Sequence, residues 1–158
     1  MTNETLFNNL LHQARSMPCT GSRLRSNPGF VKYHDNKPLI IVSLSENGYL
    51  LHLDKKDVTY LGWFYGDPTC ALIDQDGKWA IMAGDHLITI WNNSILTEIE
   101  FCGTFDMRQT GTDIVHILID PWYDNSAVWQ LNITNMEFEI IKPFTDYQNK
   151  EYTDEVIW

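Results

Sequence analysis

Between residues 38 and 142 apolar and polar side chains alternate with a period of two, and the alternation is broken every few residues by a polar turn. Such a chain buries its apolar half as short antiparallel strands joined by hairpins. The expected strands are PLIIVSL (38–44), YLLHLD (49–54), VTYLGWF (58–64), PTCALID (68–74), KWAIMAG (78–84), HLITIW (86–91) and ILTEIEF (95–101). A three-stranded meander follows within 113–142, with strands near 114–119, 128–133 and 138–141. Asn47-Gly48 and Asp76-Gly77 suit tight hairpins, because Asn and Gly tolerate positive φ. Asp74-Gln75-Asp76-Gly77 also resembles the start of a calcium loop. Lys78, Trp79 and Ala80 follow where further oxygen ligands are needed, so the hairpin reading is preferred.

The last hairpins of the three sets align without gaps. Leu50, Leu87 and Val128 correspond, as do Leu53, Ile90 and Leu131, and Val58, Ile95 and Met136. The offsets are 37 and 41 residues, close to the roughly 40–45 residues of a WD-type propeller blade. Three units are fewer than the usual closed ring of about 4–8 blades. The expected fold is therefore mainly β, antiparallel and meander-rich, either propeller-like or a strongly curved sheet, with a sandwich or open barrel as alternatives. Leu6, Phe7, Leu10, Leu11 and Ala14 share one face of a short N-terminal helix over 3–15, which Pro18 ends. The chain is read as a single domain: helix in 1–17, an irregular stretch in 18–37, three imperfect β repeats in 38–142 and an acidic tail in 143–158. The irregular stretch carries Arg23 and Arg25, and the tail ends in an apolar Val156-Ile157-Trp158 expected to dock.

Charge is unevenly placed in a chain of net charge −10. Residues 1–37 hold five Lys/Arg against two Asp/Glu, and the rest holds six against nineteen. An acidic surface repels nucleic acid and speeds encounter with basic partners, so no direct nucleic-acid binding is expected. No apolar run approaches the roughly 20 residues of a membrane span, and the N-terminus lacks the pattern of a signal peptide. A cytoplasmic protein without membrane contact is expected. Cys19, Cys70 and Cys102 are read as free thiols.

Signals for catalysis are sparse. The five histidines make no metal-ligand spacing, no Gly-x-Ser-x-Gly occurs, and no Gly-rich loop cradles phosphate. The expectation is no enzyme, no metal and no cofactor. Two loops stand out instead. Trp63-Phe64-Tyr65-Gly66-Asp67-Pro68 and Asp120-Pro121-Trp122-Tyr123-Asp124 place large aromatics beside carboxylates, a pairing suited to binding hot spots. Tyr65, Asp67, Asp120, Trp122, Tyr123 and Asp124 are the candidate partner-binding residues. Trp63, Trp79, Trp91 and Trp129 are assigned to the core.

The runs CALIDQDGKWAIMAGDHLITIW (70–91) and ILIDPWYDNSAVWQLN (117–132) resemble, over about 68–142, small acidic bacterial immunity proteins. These are encoded beside polymorphic toxins, including those of contact-dependent growth inhibition. ALIDQDGKWAI is also similar to one WG-type repeat. The resemblance implies an antitoxin that binds a cognate toxin domain, often a basic nuclease, as a monomer or small homo-oligomer. The alternatives are a small β-fold hydrolase with paired carboxylates and an oligomeric β-repeat interaction module.

Overall fold

The computed structural model describes residues 1–19 and 29–158, so Arg23 and Arg25 lie outside the described residues. One helix, α1 (Asn3–Ser16), precedes twelve strands in them. Thr2 caps α1 by accepting from the Thr5 N–H at 3.1 Å. The strands form three four-stranded antiparallel meanders in chain order. The first sheet is β1 (Phe30–Asn36), β2 (Leu39–Leu44), β3 (Asn47–His52) and β4 (Asp57–Trp63). The second is β5 (Cys70–Ile73), β6 (Trp79–Ala83), β7 (Leu87–Asn92) and β8 (Ile95–Glu100). The third is β9 (Thr104–Gly111), β10 (Ile114–Ile119), β11 (Ala127–Asn132) and β12 (Glu137–Pro143).

The sheets stack face to face. Leu39, Ile41, Leu50 and Leu61 of the first meet Ile73, Ala80 and Met82 of the second. The opposite face of the second, with Trp79, Ile81, Ile88 and Ile90, meets Met107, Val115, Ile117 and Leu131 of the third. Two outer faces remain, and each is covered by the chain's own ends. Phe7, Leu10 and Ala14 of α1 lie on Phe30, Ile40, Val42 and Leu51. Phe144, Tyr147, Val156 and Trp158 lie with Phe105, Leu118, Trp122 and Val128 on the far side of the third sheet.

Directional bonds fix the stack at its inner edge, where β1 touches β5 and β5 touches β9. The Ile73 N–H donates to His34 Nδ1 at 2.8 Å, and Asn36 Nδ2 donates to the Asp74 carbonyl at 2.8 Å. Gln109 Nε2 donates to Asp74 Oδ1 at 2.8 Å, while its Oε1 accepts from the Gln75 N–H at 3.1 Å. The Lys78 N–H fills Asp74 Oδ2 at 3.0 Å. Asp74 is only 2 % exposed, so this carboxylate of the second sheet is held by the third while its carbonyl is held by the first. At the opposite end Tyr33 donates to the Pro68 carbonyl, and Thr69 Oγ1 lies 3.1 Å from the carbonyls of Ala83 and Thr104.

Three expectations need correction. Residues 18–37 are not irregular throughout, because Phe30–Asn36 is β1. Its Phe30 faces α1 and its Val31 and Tyr33 face the second sheet; burial on both faces erases the alternation. Thr104–Gly111 is a further unforeseen strand, whose Thr, Arg and Gln mask its buried Phe105 and Met107. The repeat register also differs. The third strands end at His52, Asn92 and Asn132, each 40 residues after the last, where they pair with Asp57, Ile95 and Glu137. The middle hairpin turns on Asn93 and Ser94 alone, both at positive φ, whereas 53–56 and 133–136 are longer turns. A gapless alignment therefore slips by an odd number in the second set and turns Leu87 to the opposite face from Leu50. Asp74–Lys78 is the expected hairpin turn, with Gly77 at φ +71°.

Asp74→Ala is expected to lower unfolding free energy by roughly 2–4 kcal/mol, because buried donors lose a charged acceptor; urea denaturation measures it. Burial lowers the pKa of His34, against a smaller opposing effect of Asp35, and burial also lowers that of His52. The unfolded chain then binds more protons than the folded one below about pH 6.5. Stability present above that pH is lost as the pH falls through the depressed folded values. Urea midpoints taken from pH 7 to 5.5 should fall in the native protein and fall less in H34Q/H52Q.

Candidate binding surface

The antiparallel order sorts the connections onto two ends. Turns 37–38, 53–56, 74–78, 93–94, 112–113 and 133–136 share the hairpin end. Loops 45–46, 64–69, 84–86, 101–103 and 120–126 share the other, the crossover end, where the chain passes from sheet to sheet. The Gly103 N–H bonds the Asp85 carbonyl and the Asp120 N–H bonds the Gly103 carbonyl, so these loops are physically joined. All six candidate residues lie on the crossover end.

The two ends differ in charge. Among the described residues, the crossover-end loops carry Glu46, Asp67, Asp85, Asp120 and Asp124 and no Lys or Arg. Hairpin-end turns carry Lys37, Lys55, Lys56 and Lys78 against Asp54, Asp74, Asp76 and Asp113. Among the described residues, the connecting loops of the crossover end are acidic and the turns of the hairpin end are balanced.

Aromatic side chains stand out of the acidic end because of how the first crossing is anchored. Phe64 is buried between two glycines. A Cβ on Gly48 would stand 2.9 Å from the Phe64 ring and 2.4 Å from Met82 Sδ, and one on Gly84 would stand 3.0 Å from Phe64. With Phe64 inward, its neighbours face outward: Trp63 is 52 % and Tyr65 68 % exposed. Tyr65 takes φ +46° and Gly66 φ +103°, which reverse the chain. The two rings meet edge to face at 5.2 Å. Glu46 braces them, accepting from Trp63 Nε1 at 2.6 Å and from the Gly66 N–H at 2.9 Å. Tyr60, half exposed, extends the ridge and bonds Asn47 Oδ1 at 2.9 Å. The assignment of Trp63 to the core is thus corrected; Trp79 is buried there, and Trp91 and Trp129 pack at its margins.

The second loop divides. Trp122 is covered by the tail, with Tyr152 at 4.8 Å, Tyr147 at 5.8 Å and Phe105 at 5.8 Å between ring centroids. The structure thus places Trp122 half-buried in packing with the tail. Asp120 is a turn residue, its Oδ1 accepting from the Trp122 N–H at 3.0 Å. Tyr123 and Asp124 remain exposed, and Gln148 of the tail holds both their carbonyls. Asp67 is half-buried beside Tyr65 in the first crossing. Sequence reasoning missed Glu46, Trp63 and Tyr60. The signal available was the WFY run itself, since burial of its middle ring forces its neighbours out.

Among the described residues no group of three or more His, Cys, Asp or Glu is placed to hold a metal ion. His86 Nδ1 and Cys102 Sγ, both exposed on the crossover end, approach to 3.7 Å. Among the described residues no helix is long and apolar enough to cross a membrane.

No protein-family profile and no curated protein matches the chain. Among solved structures, a chain of a "Crystal Structure of Mitotic Checkpoint Complex" is similar, at 12 % identity and a TM-score of 0.55. The match covers 81 % of this chain and 43 % of that one, so this chain spans under half the length of its counterpart. A chain of "Kuenenia stuttgartiensis Hydrazine Synthase" matches at 16 % identity and a TM-score of 0.47, over 66 % of this chain and 34 % of that one. At such identities the likeness concerns the fold alone.

Glu46→Ala should release the ridge while leaving the fold intact. The expected outcome is red-shifted, broadened emission from Trp63, read as the difference from W63F spectra, with a stability change under about 1.5 kcal/mol.

Proposed function

We propose that the chain is a non-catalytic immunity protein of the cytoplasm whose crossover end grips a basic toxin domain. The observation that carries this reading is the coincidence, on one end, of described loops rich in carboxylates and exposed, pre-braced Trp63 and Tyr65. Rigid aromatics bury large area at low entropic cost, and the acidic rim steers cationic partners and masks their path to nucleic acid. Tyr123 and Asp124 widen the same surface. Trp63, Tyr65 and Glu46 replace Trp122 and Asp120 as its centre.

The three sheets are read here as consecutive propeller-like blades, with β1, β5 and β9 as their innermost strands. The contacts between those strands and the face-to-face stacking support this. With α1 and the tail on the two outer faces, the arc functions as a monomer rather than as part of a ring completed by a second copy.

The reading predicts a toxin domain encoded immediately upstream, and the test is coexpression with it. Protection of the cells, and a complex weakened about 100-fold by W63A/Y65A but not by K55A/K56A on the hairpin end, is the expected result. Association should slow with added salt. Equal killing with and without this chain would sink the proposal.

A further inference from the structure

The acidic end leaves the cationic N-terminal region unused, and the structure gathers part of it in one place. Arg15 in the last turn of α1, Lys32 of β1 and Lys37 before β2 line a cleft of about 280 Å³, with Asp35 on its wall. Its floor is apolar, made by Leu11, Ala14, Ile40 and Leu53.

Lys32 is the unusual member. It is nine-tenths buried, and its ion pair with Asp35 is long, at 3.8 Å. An ammonium carries three donors. A charge so nearly buried needs close compensation. Among the described lining residues three cations stand against one carboxylate, in a chain of net charge −10. Arg15 also offsets the carbonyl end of α1, which would otherwise repel an anion.

We propose that this cleft binds an organic phosphate monoester. The dianionic head matches the residual charge and accepts from Arg15, Lys32 and Lys37. The apolar floor takes a ring or short chain attached to it. The site faces away from the aromatic ridge in composition and charge, and its test is independent of the toxin reading.

The experiment titrates the full chain with phenyl phosphate by calorimetry and by phosphorus NMR, beside inorganic phosphate and phenol. Saturable one-to-one binding of phenyl phosphate is expected, about tenfold or more tighter than inorganic phosphate because the ring is buried. R15Q/K37Q changes two exposed positions and should weaken it about tenfold or more. K32M keeps the buried stem and should abolish it. No saturation at roughly millimolar ligand overturns the proposal. So does equal affinity for inorganic phosphate, or affinity unchanged in R15Q/K37Q, either of which marks an adventitious ion only.

Discussion

The inner edge of the stack is the constraint on which the remaining structure depends. Apolar faces attract one another without direction, so leucines and isoleucines alone would let the sheets slide. The edge strands β1, β5 and β9 also present backbone groups that their own sheets do not pair, and such groups must find partners when covered. Here they find them in the neighbouring sheet. His34 takes the Ile73 N–H, Asn36 takes the Asp74 carbonyl, and Thr69 faces the Thr104 carbonyl. These bonds have length and angle, and they set where each sheet lies on the next. Asp74 concentrates the effect, because its side chain and backbone serve different sheets.

A stack held this way still ends in two apolar faces. In repeat architectures the terminal units need a covering with a polar outer side. The chain supplies both from its own ends, by different means. α1 is an amphipathic helix laid on Phe30, Ile40, Val42 and Leu51, and its Asn3 reaches Asp57 of β4. The tail is irregular and works through rings: Trp122 beneath Tyr147 and Tyr152, and Trp158 against the Arg108 guanidinium, 4.0 Å from its centroid. Trp158 Nε1 also donates to Asp106 Oδ2 at 3.1 Å. The outer faces of the first and third sheets are thus both covered by residues of α1 and the tail.

Most of the strands are visible in the sequence because one face of each is more buried than the other. β8 shows this, alternating exposed and half-buried positions from Leu96 to Glu100. The innermost strands are the ones that hide. Val31 and Tyr33 point one way and Phe30 the other, and both ways are buried. β9 spends Asp106 and Gln109 on tail and inter-sheet bonds, so its polar residues do not mark a solvent face. The helix was legible because its apolar stripe has a single target. The exact repeat was not, since a two-residue turn at Asn93-Ser94 carries no apolar signal that would reveal a gap. The candidate loops were found by composition, but composition cannot tell Trp122 under the tail from Tyr123 beside it.

That difference turns on what each loop must do for the fold. The 120–126 loop lies inside the third sheet and below the tail, so its largest ring is used to hold the tail down. The 64–69 loop crosses between sheets, and one ring, Phe64, suffices to plug the crossing between Gly48 and Gly84. The adjacent Trp63 and Tyr65 then have no interior left to enter. Leaving two large rings in water forfeits the stabilisation that burial gives, roughly 1.5–3 kcal/mol for a large apolar side chain. Glu46 spends two hydrogen bonds on holding that exposed arrangement rather than burying it. A brace on exposed aromatics adds little to folding, but it removes rotamer freedom that a partner would otherwise have to freeze. The same brace supplies a carboxylate to an end whose described loops contain no Lys or Arg. Stability therefore accounts for Phe64 and Trp122, but burial does not account for the exposed pair and its brace.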